Sequence, residues 1–161
     1  MKILVVSDTH RDESRLIKAI EAEAADMLIH LGDIEGSEGK IEMMANADCV
    51  MVKGNNDFFS YLKDEREIFL GKYRTLLTHG HIYSVSLGLE CLRTEAVARG
   101  FDIAMFGHTH RPFYENKNGL ILLNPGSLSY PRQENRLPSY AVMNIDDETQ
   151  NIDVDIKYIE R

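Results

Sequence analysis

The stretch Ile3-Leu4-Val5-Val6-Ser7-Asp8-Thr9-His10 decides the reading of this chain. Its four consecutive β-favouring apolar residues predict a strand over 3–7 that is buried on both faces, as in a parallel sheet. An aspartate and a histidine follow, two positions apart. Residues two apart in an extended chain point to the same side, so one strand end presents both side chains together. The arrangement recurs where Phe101-Asp102-Ile103-Ala104-Met105-Phe106 leads into Gly107-His108-Thr109-His110. Twice, an apolar strand ends in two residues able to ligate a metal.

Beyond the first strand, Asp12 offers a helix N-cap, and Leu16, Ile17, Ile20 and Ala24 form a helical stripe. Residues 27–31 make a second strand ending at Gly32-Asp33. Residues 37–45 form a weaker helix with Ile41, Met44 and Ala45 on one side. A third strand at 49–52 ends at Gly54-Asn55-Asn56-Asp57. The order β-α-β-α-β is that of a parallel sheet with crossover helices. The pattern then changes. Strands at 67–70 and 73–78 flank Gly71-Lys72, a two-residue hairpin signal, and the second strand ends at His79-Gly80-His81. Residues 89–98 are helical and stop at Gly100. After a strand at 103–106, residues 114–115 and 120–123 surround a turn at 116–119. A last hairpin joins 140–145 to 152–159, with Ile152, Val154, Ile156 and Tyr158 on one face. The whole predicts a single α/β domain over 1–161, with two packed sheets and helices outside them.

Composition narrows the function. The 161 residues carry 43% hydrophobic and 27% charged side chains, which suits a globular domain with a proper core. The net charge of −8 opposes binding of duplex nucleic acid or an anionic membrane, which usually needs a basic face. It leaves room for a small phosphate substrate, because bound metal ions reverse the local sign. A nuclease is disfavoured by the same charge and by the lack of a basic, aromatic-studded groove. No apolar run approaches ~20 residues, and the N-terminus runs straight into a motif, so neither a membrane span nor a signal peptide is expected. Cys49 and Cys91 show no metal-type spacing and read as two free buried thiols of a cytoplasmic protein.

The candidate chemistry lies just past the strands. Asp8 and His10 follow the first strand, Asp33 the second and Asn55 the third. His79 follows the hairpin strand, and His108 and His110 the late one. Ligands of open α/β sheets gather outside the carboxyl ends of the strands. Seven oxygen and nitrogen donors at such ends exceed what a fold needs, and they predict a metal site.

The series Asp8-x-His10, Gly32-Asp33, Gly54-Asn55-x-Asp57, His79 and Gly107-His108-x-His110 resembles the calcineurin-like metallophosphoesterase superfamily. The small size, and the run Asn124-Pro125-Gly126-Ser127 continuing through Pro131-Arg132, are similar to its YfcE-type phosphodiesterase branch. The resemblance implies a four-layer αββα sandwich and two divalent metals. Asp8, His10, Asp33 and His110 would hold the first metal. Asp33, Asn55, His79 and His108 would hold the second, with Asp33 bridging. This donor set suits Mn, Fe, Zn, Co or Ni, and the resemblance favours Mn. It implies hydrolysis of a small phosphodiester by a metal-bridging hydroxide, with a monoester as the weaker option. It also makes a homo-oligomer plausible. The other reading is a scaffold that kept the fold and lost the reaction, as in the retromer subunit of this fold. That reading predicts eroded ligands, and none of the seven is eroded.

Around the metals, Asp33, Asn55, Asp57 and His81 are the candidate catalytic residues. Asn56, Ser127 and Arg132 are the candidate substrate contacts. Asn56 stands where the superfamily often carries a proton-donating histidine, and an amide has no proton to give near neutral pH. His81 either supplies that proton or merely borders the site. Asp57 either orients His10 or a neighbouring imidazole, or caps a turn. His30 reads as a hydrogen-bonded core histidine. The backbone of 124–127 could face a phosphate. Arg132 and Arg111 either meet a substrate anion or are solvated. Phe58, Phe59 and Tyr61 read as core, subunit interface or pocket wall.

Overall fold

In chain order the elements are β1 (Lys2–Val6), α1 (Ser14–Glu23), β2 (Met27–His30), α2 (Glu38–Ala45), β3 (Asp48–Met51), β4 (Glu65–Leu70) and β5 (Tyr73–Thr78). They continue as α3 (Glu90–Ala98), β6 (Ile103–Met105), β7 (Pro112–Lys117), β8 (Leu120–Pro125), β9 (Ser139–Ile145) and β10 (Ile152–Tyr158). The structure is a computed structural model and describes residues 1–160; Arg161, the last position of the expected domain, lies outside the described residues. The strands form two mixed five-stranded sheets, ordered β10-β9-β1-β2-β3 and β4-β5-β6-β8-β7. β1, β2 and β3 run parallel, as do β5, β6 and β8. Antiparallel strands flank each parallel core.

The period-2 alternation of β1 builds the layers. Ile3 and Val5 face the second sheet and pack with Leu77, Ile103, Met105 and Leu123 in a core between the sheets. Leu4 and Val6 point the other way, onto Leu16 and Ala19 of α1 and Ile41 and Ala45 of α2. On the far side, Leu76, Ala104 and Leu122 pack against Leu92 and Ala96 of α3. The result is the expected αββα sandwich. Each fully buried Leu or Ile contributes about 1.5–3 kcal/mol relative to exposure. Three such clusters explain why the central strands are apolar throughout.

Several details differ from the sequence pattern. The buried face of α1 is Leu16, Ala19 and Glu23, while Ile17 is 38% exposed and Ala24 is exposed. The face rotates because Glu23 is drawn inward by Tyr140 Oη at 2.9 Å and by Lys157 Nζ at 2.9 Å and Lys2 Nζ at 2.8 Å. Asp12 sits one residue outside the N-cap position, yet its carboxylate still accepts the Ser14 N–H at 3.1 Å. β7 is longer than predicted, since an edge strand need not alternate. Its turn is the two-residue Asn118-Gly119, both at positive φ, as a tight hairpin requires. Cys49 is half-buried and Cys91 exposed, rather than both buried. Phe58, Phe59 and Tyr61 are 75%, 103% and 74% exposed, which rules out the core reading. Among the described residues no helix is long and apolar enough to cross a membrane.

Candidate metal centre

The parallel strands of both sheets end at one edge, and their loops meet there. Asp8 and His10 follow β1, Asp33 follows β2, Asn55 follows β3, His79 follows β5, and His108 and His110 follow β6. The loops are laced across the sheets. The His108 N–H donates to Asp8 Oδ2 at 3.2 Å, and the Ser127 hydroxyl donates to the Asp8 carbonyl at 2.9 Å. Asp8, Asp33, His79 and His110 are buried, so two carboxylates sit out of water without a lysine or arginine partner. An uncompensated buried charge is costly and calls for a cation or a proton.

Three imidazoles are turned so that one nitrogen faces these carboxylates. The Nδ1 of His79 lies 2.7 Å from the Leu31 carbonyl, and that of His110 lies 2.8 Å from the Tyr130 carbonyl. The Nδ1 of His10 lies 2.7 Å from Glu35 Oε1. Each partner is an acceptor, so each Nδ1 carries its proton and each Nε2 of a neutral ring presents a lone pair. Those lone pairs converge. His110 Nε2 is 3.0 Å from Asp8 Oδ1, and His10 Nε2 is 3.4 Å from His110 Nε2 and 3.8 Å from Asp33 Oδ2. Asp8, His10, Asp33 and His110 each offer a ligand atom within 4.8 Å of all the others.

This arrangement fits a metal ion. Acceptor atoms brought face to face repel unless a cation lies between them, and the buried Asp8 Oδ1 has no hydrogen-bond partner. A proton is the alternative cation. Burial disfavours charge on both groups, but the contact with Asp8 outweighs it and holds His110 above the usual histidine range. Burial likewise pushes the Asp8 carboxyl up, and its contact with His110, helped by the His79 imidazole and the Ser7 hydroxyl, overrides it and holds Asp8 at about 2.

The second half of the expected ligand set is looser. His79 Nε2 is 3.1 Å from Asn55 Oδ1, again acceptor against acceptor, and 3.5 Å from Asp33 Oδ2. Asp33 therefore stands between the His10 and His79 imidazoles. His108 is half-buried, with its ring 5.1 Å from the His79 ring. It borders this half without joining the tight group of four.

The backbone is strained where the ligands sit. Asp8, His10, Asp33, His108 and His110 are five of the thirteen non-glycine residues with positive φ among the described residues. Such conformations cost of order 1–3 kcal/mol each and persist only when the surroundings impose them. Asp57 is one such imposing group. Its buried carboxylate accepts the N–H groups of Asp33 at 2.9 Å, Ile34 at 2.8 Å, Glu35 at 2.5 Å and Gly54 at 2.7 Å. It touches no imidazole, so of its two readings the turn-capping one holds. The residue that orients His10 is Glu35, which no motif or spacing singles out. A glutamate in a polar loop has no signature until the loop folds back onto the site.

Other candidates fall differently from their expectation. Asn56 donates its side-chain amide to Asp33 Oδ2 at 2.7 Å, so it holds the carboxylate rather than facing outward. Ser127 is fully buried. Its hydroxyl also accepts the N–H groups of Ser129 and Tyr130, which leaves nothing for a substrate. The Gly126 N–H is taken by Asn124 Oδ1 at 2.8 Å, and the Asn124 amide donates to the Gly107 carbonyl and to Thr109 Oγ1. The 124–127 run is thus a brace for the histidine loop. His30 is a buried, hydrogen-bonded histidine between Thr9 Oγ1 and the Gly32 N–H, and burial pushes it down to about 3. His81 is half-buried with its ring 5.5 Å from the His79 ring, and its Nδ1 has no hydrogen-bond partner. Arg111 and Arg132 are exposed beside His110, whose carbonyl accepts the Arg132 N–H at 2.9 Å.

Comparison with known proteins agrees with this geometry. The family model of the calcineurin-like phosphoesterase superfamily domain matches residues 1–148. The chain is 35% identical over 155 residues to the probable metallophosphoesterase YsnB of Bacillus subtilis, across 94% of this chain and 89% of that protein. It is 28% identical over 171 residues to the phosphodiesterase YfcE of Escherichia coli, across 91% and 89%. The crystal structure of a conserved uncharacterized protein from Streptococcus pneumoniae, a predicted phosphoesterase, superposes with a TM-score of 0.83 at 29% identity, over 98% of this chain and 88% of that one. On the ligand series at its strand ends, its two-sheet fold and these likenesses, the chain belongs to the calcineurin-like phosphoesterase superfamily.

Proposed function

We propose that the chain is a binuclear metal-dependent phosphodiesterase acting on a small phosphate diester. The observation that carries this is the convergence of the His10, His79 and His110 Nε2 atoms on the Asp8 and Asp33 carboxylates. Asp8, His10, Asp33 and His110 would hold one ion, and Asp33, Asn55, His79 and His108 the other. Carboxylate, imidazole and amide donors without thiolate suit Mn, Zn, Fe, Co or Ni, and the likeness to the YfcE-type branch favours Mn. Two such ions, when bound, supply Lewis-acid polarisation of the phosphoryl group and an activated water.

The chain's own residues do the rest. Glu35, Leu31 and Tyr130 fix three imidazole orientations through Nδ1, which aims each Nε2 at the site without a turn of the ring. Asn56 holds Asp33 Oδ2 toward the midpoint of the site. His81 borders the His79 side, where a leaving oxygen could collect its proton. The charge of −8 and the absence of a basic groove favour a small substrate over duplex nucleic acid. A scaffold without catalysis would have no use for two buried carboxylates and three imidazoles aimed at one point, so the enzyme is the better reading.

The test is turnover of a chromogenic bis-aryl phosphate by the purified protein. Hydrolysis with added Mn, abolished by chelator and by Asp33→Asn, is the expected result. No hydrolysis with any of Mn, Zn, Fe, Co or Ni would favour the scaffold.

A further inference from the structure

A cavity of about 480 Å³ opens beside the histidine loop. Thr109, which lies between His108 and His110, lines it together with Arg111 and Arg132, both of them exposed. Phe106 and Phe113, with ring centroids 6.3 Å apart, form an apolar wall with Val85 and Leu89. Its volume is in the range of small-molecule sites.

What sets the two arginines apart is their place at this cavity; Arg66 and Arg136 likewise have no ion pair among the described residues. Arg15, Arg74, Arg93 and Arg99 each lie within ion-pair distance of a carboxylate. Among the described residues no ion pair involves Arg111 or Arg132, although the chain carries a net charge of −8. Both are tied to His110, Arg111 by sequence and Arg132 through its N–H. Guanidinium groups without a carboxylate, next to an apolar wall and a candidate metal ligand, suit an anion at the end of an apolar arm.

We propose that this cavity is a subsite for the second arm of the substrate. It would take a diester in which that arm is a short apolar or aromatic body carrying a second anionic group, a carboxylate or a phosphate. The inference rests on the phosphodiesterase reading for its orientation but not for its binding test.

The experiment uses the manganese-loaded protein and two 4-nitrophenyl diesters. In one the second arm is a 4-carboxyphenyl group, and in the other its methyl ester. The carboxylate is expected to be preferred by about 10-fold or more in kcat/KM, the size of a charge-assisted hydrogen bond. Arg132→Gln and Arg111→Gln should each lower that ratio and the double variant should bring it to one, while Arg136→Gln leaves it intact. A wild-type ratio near one, or a ratio that survives the double variant, overturns the subsite. A phosphonate in place of the carboxylate distinguishes the two anions: faster turnover assigns a phosphate-bearing arm, slower a carboxylate-bearing one. Calorimetric titration with (4-carboxybenzyl)phosphonate and its methyl ester gives a readout without turnover. Equal affinities overturn the subsite even where hydrolysis occurs. A preference for the free carboxylate with no hydrolysis of any diester overturns the enzyme reading and leaves the subsite standing.

Discussion

His110 Nε2 and Asp8 Oδ1 face each other at 3.0 Å across the two sheets, while the other nitrogen of His110 is committed to the Tyr130 carbonyl. Something positive has to occupy that gap. Without metal it is a proton, which is why His110 is held above its usual range and Asp8 is held at about 2. Metal binding must displace this proton, so affinity for Mn should fall as pH drops below the raised His110 value. The share of the chelator-treated protein's stability that His110 contributes should run the opposite way. A histidine raised on folding contributes stability that is complete below its unfolded value and is lost as pH rises through its folded value. His30, His81 and His108 are pushed the other way and oppose this, so the His110 share is read as a difference: the Tm advantage of the metal-free protein over its His110→Gln variant should be larger at about pH 6 than at about pH 8.5. Scanning calorimetry of both proteins with chelator checks this, and Mn titration across the same pH range checks the affinity; a Tm difference indifferent to pH would remove the proton from the gap.

Glu35 holds His10 by its Nδ1 at 2.7 Å. Partners of this kind typically affect metal affinity by ~10–100-fold when removed. Glu35→Ala should weaken metal binding by about that factor. Glu35→Gln keeps an oxygen able to accept the Nδ1 proton and should cost less. Competition with a fluorescent chelator measures both, and equal losses in the two variants would show that the hydrogen bond is not what matters.

Asp57 accepts four backbone N–H groups from the turns after β2 and β3. An asparagine can accept on one atom only and turns its NH₂ toward donors already present. Hydrogen bonds to a charged group are worth about 1.5–3 kcal/mol each, so Asp57→Asn should lose about 2–4 kcal/mol of stability. Urea unfolding of the metal-free protein isolates this from any effect on metal binding. A loss below about 1 kcal/mol would mean the turns hold their shape without the carboxylate.

These variants mark where the sequence was readable and where it was not. The group of Asp8, His10, Asp33 and His110 was legible because few residue types can ligate a metal, and the fold delivers them at one recurring place, just past a strand. The layers were legible because β1 alternates Ile3 and Val5 against Leu4 and Val6. Glu35 and the brace built by Asn124 and Ser127 were not, because their roles depend on loops that meet only after both sheets form. The rotated face of α1 was hidden for a similar reason. Its buried Glu23 is satisfied by Lys2, Tyr140 and Lys157, and two of these lie over 100 positions away. Phe58, Phe59 and Tyr61 are apolar by composition and exposed by position, which periodicity in a loop cannot tell apart.

Gly107 offers the most direct test of how tightly the two sheets are set at the metal centre. Its φ is not in the left-handed region, so alanine would be free to adopt the backbone. The obstacle is contact alone, because a Cβ there would collide with Ser7 Oγ and come to 3.0 Å from Asp8 Oδ2. Gly107→Ala should push β1's end away from the histidine loop, with a loss of roughly 1–3 kcal/mol by overpacking and a larger fractional loss of metal affinity. Ser7→Ala alone should cost little, since the buried Ser7 hydroxyl makes no well-formed hydrogen bond and only adds to the support of the Asp8 carboxylate. The double variant removes the obstructing oxygen and should recover most of the stability and the metal affinity. A favourable coupling energy in that cycle locates the clash at Ser7. Simple additivity of the two changes would place the origin of the Gly107 effect elsewhere, and a Gly107→Ala protein with unaltered metal affinity would show that the loop can retreat without disturbing Asp8.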